Sequence, residues 1–137
     1  MTSVLLSIRP EFASAIWAGK KRVEFRKHLF RRTVDKVFIY ETRSRRGIVG
    51  MFVVGVVIRL PPAKAWKRYR RVAGITRAAF FKYFAGSSAA TCIEIRKVLK
   101  ARAPVDPRSV TRGFAAPQSF VYLHASTSRR IERALKR

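Results

Sequence analysis

One unit near the start of the chain limits the folds open to it. An apolar run, Val4-Leu5-Leu6-Ser7-Ile8, is followed at once by a compact helix signal from Pro10 to Ala18. Pro10 suits a first helical turn, where its missing N–H has no partner to lose. Glu11 places an acid near the positive end of that helix. Gly19 stands where a helix ends on a left-handed residue. The chain then re-enters a strand, with Val23 and Phe25 on one face and Glu24 and Arg26 on the other. Strand, helix, glycine turn and strand together deliver Lys21, Glu24 and Arg26 to one place.

The pattern Gly19-x-Lys21-x-x-Glu24-x-Arg26, preceded by Leu6-Ser7-Ile8-Arg9-Pro10, resembles the ASCH domain family of the PUA-like superfamily. Four later stretches agree in order: Val37–Thr42, Ile48–Gly55, Ala73–Gly86 and Pro117–Leu123. The resemblance implies an α+β fold, a small PUA-like β-barrel with flanking helices. It also implies an RNA-binding module, and some relatives look like enzymes acting on RNA or modified nucleosides. Amidohydrolase-like members use a Lys, which Lys21 matches, with a nearby Thr. Here that position holds Glu24, so the pattern departs from theirs at the nucleophile.

Charge narrows the partners. The 137 residues carry 31 Lys+Arg against 7 Asp+Glu, a formal net charge of +24, yet 48% of them are hydrophobic. The hydrophobic content supports a core. The cations must lie on the surface and repel one another until a polyanion screens them. RNA is the expected partner, because phosphate neutralisation with counterion release drives association. Charge alone leaves DNA open. No membrane partner is expected, since the longest apolar run, Ile48–Ile58, is too short to span a bilayer. One cysteine, Cys92, and two histidines, His28 and His124, argue against an internal disulfide and a metal site. No cofactor is expected. The start of the chain lacks a basic, apolar leader, which points to the cytoplasm.

Read in order, the chain shows strands at Val4–Ile8, Arg22–Arg26, Val37–Thr42, Ile48–Leu60, Ala90–Ala101 and Ser119–Leu123. Gly50 and Gly55 are expected bulges that let a small barrel turn its corners. Helices are expected at Glu11–Ala18 and Ala63–Val72. A third begins behind a Thr76 N-cap, with Ala79, Phe80, Tyr83 and Phe84 as its inward stripe. The last, Arg129–Arg137, is read as capped by Ser126-Thr127-Ser128. Trp66 and Tyr69 share a helix face and are expected to dock it. The domain is read as 1–125, with 126–137 a separate basic helix.

Two sets of residues are candidates for function. The first is a pocket built from Lys21, Glu24 and Arg26 with Ser7 and Arg9, to which Tyr40, Glu94 and Ser119 are added. A Lys beside a carboxylate in a cleft can bind phosphate or, if desolvated, act as a base. The plainer alternative is a structural ion pair. Tyr40 is either a stacking platform for a base or a half-buried strand aromatic. If the protein is an enzyme, Lys21, Glu24 and Tyr40 are its candidate catalytic groups. The second set contacts the nucleic-acid backbone: Lys20, Arg22, Lys27, Arg31 and Arg32 around the motif strand, and Arg43, Arg45 and Arg46 in a turn. Lys64, Lys67, Arg68, Arg70 and Arg71 follow on a helix, and Arg129, Arg130 and Arg133 on the last one. The sequence therefore predicts an RNA-binding module with a small pocket for a base or modified nucleotide. A ribonuclease or nucleoside-processing hydrolase using that pocket, and a structural part of a ribonucleoprotein, are the alternatives.

Overall fold

The computed structural model describes residues 2–41, 47–110, 117 and 119–137. Its elements are β1 (Ser3–Ile8), α1 (Pro10–Trp17), β2 (Val23–Arg26), β3 (Lys36–Glu41), β4 (Gly47–Leu60), α2 (Pro62–Tyr69), α3 (Arg77–Tyr83), β5 (Ala90–Val105), β6 (Phe120–Leu123) and α4 (Ala125–Leu135). The strands form one sheet in the order β2-β5-β4-β3-β1-β6. β1 runs parallel to β3, and the other four pairings are antiparallel. The sheet curls into a half-barrel, as the α+β barrel expectation requires.

Curvature comes from the two long strands. The β4–β5 register shifts between Ile48 and Gly50 and again between Val54 and Val57. The expected bulges at Gly50 and Gly55 are therefore present. At Gly50 the reason is packing: a Cβ there would lie 2.4 Å from the Leu99 carbonyl oxygen and 2.4 Å from Trp17 Cη2. Only glycine lets α1 lay its last residue on β4.

Alternation along the strands sorts the core. Val4, Leu6, Val37 and Ile39 face one side, with Ile16 of α1 and Phe52. Leu5 and Phe38 face the other, where they meet Ile131 and Leu135 of α4. A third cluster joins Phe25 of β2 to Tyr69 of α2 and to Phe80 and Phe84 of α3. Phe25 meets the Phe80 ring edge-on at 4.9 Å. Trp66 is half-buried and packs on Phe80 at 5.2 Å between centroids, so α2 docks through the expected aromatic pair.

Several boundaries differ from the sequence reading. Ser126, Thr127 and Ser128 do not cap α4. The helix starts at Ala125 behind His124, and Ser128 lies inside it, where its Oγ accepts from the Ser3 hydroxyl at 2.9 Å. β5 runs on to Val105 rather than stopping at Ala101. Its last residue, Val105, pairs with Ile48 of β4, so the strand persists by pairing beyond its polar stretch. Thr76 caps α3 as expected, accepting from the Ala79 amide at 3.2 Å. The inward stripe, however, is only Phe80 and Phe84; Ala79 and Tyr83 are exposed.

Candidate functional site

Two edge strands approach each other where the half-barrel would close. β2 is one edge and β6 the other. No ladder joins them in the described residues; the Arg26 guanidinium does so instead. Its Nη2 donates to the Ser7 carbonyl at 3.0 Å and its Nη1 to Ser119 Oγ at 3.3 Å. Its Nε donates to Glu24 Oε2 at 3.0 Å. One planar fork thus holds the end of β1, the start of β6 and the carboxylate two residues away on its own strand.

Lys21 sits behind this pair. It is only 3% exposed. Its Nζ donates to the Ala73 carbonyl at 2.8 Å and lies 3.8 Å from Glu24 Oε1. The Phe12 and Phe25 rings stand 5.3 Å and 5.2 Å from the same nitrogen, within cation–π range. Burial lowers the Lys21 pKa from its ordinary value, and the Glu24 charge partly restores it. Gly74, at φ +63°, fits against the Lys21 stem, where a Cβ would come within 2.4 Å. The Arg22 amide adds a bond to the Val72 carbonyl at 2.8 Å. Lys21 therefore ties the motif strand to the α2–α3 connection. Its ammonium is committed to protein partners.

In front of this pair opens a cleft of about 680 Å³. Ser7, Arg9, Lys21, Glu24 and Arg26 line one side, as the sequence predicts. The opposite wall is α3, through Ala79, Lys82 and Tyr83, with Phe84 at its end. Lys27 closes the rim, its Nζ 4.8 Å from the Tyr83 ring. Burial raises the Tyr83 phenol pKa, and the Arg26 charge opposes that rise. Arg59 steadies the rim by donating to the Lys27 carbonyl at 3.3 Å and to Thr91 Oγ1 at 2.8 Å. Five cations and one carboxylate therefore meet an exposed aromatic ring in one concave site. Such a set suits an anionic, planar ligand.

Three predicted pocket residues stand elsewhere. Glu94 lies outside the cleft because Tyr69 of α2 donates to its Oε2 at 2.7 Å. Tyr40 is buried with Phe38, Ile48 and Met51 on the sheet face that α4 covers. Ser119 reaches the cleft only through Arg26. Ser7 contributes its carbonyl, since its hydroxyl donates to the Pro117 carbonyl at 2.5 Å. Two further contributors are Tyr83, which the sequence reading placed on the inward stripe, and Lys82, to which it gave no role. Their signal was present, because a cation beside an aromatic at a helix end is unusual on an inward stripe.

The expected backbone-contacting residues Lys20, Arg22, Lys27, Arg31, Arg32, Lys64, Lys67, Arg68, Arg70, Arg71, Arg129, Arg130 and Arg133 are all exposed. Arg32 lies over the Tyr122 ring at 4.7 Å and Arg68 over Tyr69 at 5.5 Å. Arg43, Arg45 and Arg46 lie outside the described residues. Among the described residues, no three His, Cys, Asp or Glu side chains converge to hold a metal ion, and no helix is long and apolar enough to cross a membrane.

Known proteins share this chain's sequence pattern and its fold. The chain is 28% identical over 134 residues to a protein of Zymomonas mobilis named "ASCH domain-containing ribonuclease", covering 93% of this chain and 88% of that protein. The crystal structure of ASCH from the same organism superposes with a TM-score of 0.88 at 27% identity, over 96% of this chain and 94% of that one. A hypothetical protein from Leishmania major shares the fold at a TM-score of 0.58 and 12% identity, over 99% of this chain and 95% of its own. The ASCH domain model itself matches residues 6–106, from the end of β1 through β5. This chain belongs to the ASCH domain family.

Proposed function

We propose that this protein binds single-stranded RNA, seating one nucleotide in the cleft between β2 and α3. The observation that carries the reading is the cleft's composition. Arg9, Arg26, Lys27 and Lys82 offer charge to a phosphate, and the exposed Tyr83 ring offers a face to a base. Base–aromatic stacking contributes roughly 1–3 kcal/mol per base. Glu24 can accept hydrogen bonds from the amino edge of that base, held in place by Arg26. The exposed cations of α2 and the turn after it extend the backbone contacts beyond the cleft.

A second reading, RNA cleavage at the same cleft, is favoured by one observation: the Zymomonas mobilis relative is named a ribonuclease. Lys21 is a poor candidate for base in that reaction, because its nitrogen is spent on Ala73 and Glu24. Cleavage would fall to groups on the cleft surface, where Tyr83, Arg26 and Lys27 are the ones in reach.

The deciding experiment measures binding and integrity of labelled single-stranded RNA, duplex RNA and DNA by wild type, Arg26→Ala and Tyr83→Ala. Binding of intact single-stranded RNA, weakened about tenfold or more by Tyr83→Ala, is the expected result. Shortened RNA with wild type and intact RNA with Arg26→Ala would put the enzyme first. Equal affinity for all three nucleic acids in all three proteins would remove the selective cleft.

A further inference from the structure

α4 carries a second charged groove at the other end of β1. Ile131 and Leu135 bury its apolar face. Glu132, its one acid, is held by Lys36 at 2.6 Å and Lys136 at 3.2 Å. Arg129 and Arg133 stand one helical turn apart, about 6 Å, and both are exposed. No carboxylate among the described residues pairs with either. They line a groove of about 360 Å³ together with Lys36, Lys136, Ser128 and Glu132. Asp35, also in that groove, accepts from the Thr2 amide at 3.1 Å. Its carboxylates are thus engaged, while two guanidinium groups are not.

The position of this groove is fixed by the sheet. Ser3 opens β1 and touches Ser128; Lys36 opens β3, opposite Ser3 in the register, and touches Glu132. The cleft lies at the far end of β1, where Ser7 accepts from Arg26. Four strand steps separate Ser3 from Ser7, roughly 13 Å at about 3.3 Å per step.

We infer that α4 is a second backbone-binding rail, and that one RNA strand occupies cleft and rail together. This inference rests on the reading of the cleft as a nucleotide site. β1 itself is buried, so the RNA runs over the surface, and the span of β1 is the least it has to cover: at roughly 3.4 Å per stacked nucleotide, about four nucleotides beyond the one in the cleft. Only strands of more than about five nucleotides engage both sites. Shorter ones engage only one. Joining two weak contacts on one strand makes the second effectively intramolecular, which raises affinity without a new contact.

The test is fluorescence anisotropy with labelled oligouridylates from dinucleotide to dodecanucleotide, with RNA integrity checked afterwards. It uses the full chain, wild type and Arg129→Ala/Arg133→Ala, whose fold is verified by circular dichroism. Wild-type affinity is expected to climb at least tenfold in one step at a length above about five nucleotides. The double variant is expected to lose that step and to bind the dodecanucleotide about tenfold more weakly, while short oligonucleotides change by less than about twofold. A smooth rise with length in wild type, or equal weakening at every length in the variant, would overturn the rail. Failure of wild type to bind any oligonucleotide would sink the cleft reading itself, so the two failures are told apart.

Discussion

Lys21 shows how a residue can look like a reactive group and act as a structural tie. In sequence it sits beside a carboxylate in a family motif, which invites a catalytic role. In the fold its ammonium is surrounded by the Ala73 carbonyl, Glu24 and two aromatic faces. Removing it leaves a buried carbonyl without a donor, a cost of about 1–3 kcal/mol. Glu24 still has Arg26, so the larger penalty of an unpaired buried charge does not apply. Lys21→Met, which keeps the apolar stem, is therefore expected to lower stability by about that amount in urea titration. A midpoint equal to wild type would mean the ammonium holds nothing together. pH gives a second check. The folded-state pKa of Lys21 lies below its ordinary 10.5. Between those two values the unfolded chain holds the proton and the folded one does not, so stability rises with pH in that window. Wild type should show this alkaline gain and Lys21→Met should lack it.

At the scale of the element, α2 and α3 form the wall that makes a cleft out of an edge strand. α2 is pinned at its C-terminal end by Tyr69, whose hydroxyl donates to Glu94 on β5. Tyr69→Phe removes that bond and is expected to cost about 1 kcal/mol, read from chemical denaturation. Burial and the Glu94 carboxylate push the Tyr69 pKa up to about 12, from 10.0. Here the unfolded chain loses its proton first. The contribution is complete below pH 10 and is lost as pH climbs to about 12. Tyr69→Phe should flatten this part of the alkaline limb; an unchanged limb would show that Tyr69 does not carry it. The same pair explains what could be read from sequence. The positions of α1, α2 and α3, the Thr76 cap and the bulging glycines follow from local chemistry, and all were legible. Glu94 was placed in the pocket because strand alternation gives a face and not the neighbour on it. Tyr83 was placed in the core because helical spacing cannot tell a stripe that turns inward from one that lines a cleft. The true start of α4 was hidden because Ser126-Thr127-Ser128 looks like a cap and is instead a turn of helix packed on β1. Lys21, Glu24 and Arg26 came together as expected, because a short helix and a glycine turn leave β2 little freedom.

The whole molecule is dominated by like charge. With a net +24 on 137 residues, most cations lack a carboxylate partner simply because only 7 acids exist. Repulsion of this kind opposes the compact state. Salt screens it, with a Debye length of about 10 Å at 0.1 M, so the free protein is expected to grow more stable as monovalent salt rises. RNA does the same work more strongly, since bound phosphates neutralise cations directly and ligand bound to the folded state alone adds stability by mass action. Salt has the reverse effect on that contribution, because it removes the counterion-release term. A protein contacting 6–10 phosphates loses roughly 10³–10⁵ in affinity between about 50 and 200 mM salt. Two melting series across salt, with and without single-stranded RNA, should therefore converge from opposite directions: the free protein's Tm rises, and the complex's Tm falls towards it. Parallel curves would mean that RNA, if it binds, does so without drawing on the charge. A free-protein Tm that falls with salt would mean that ion pairs hold the fold, an outcome at odds with a chain that has about four cations for every acid.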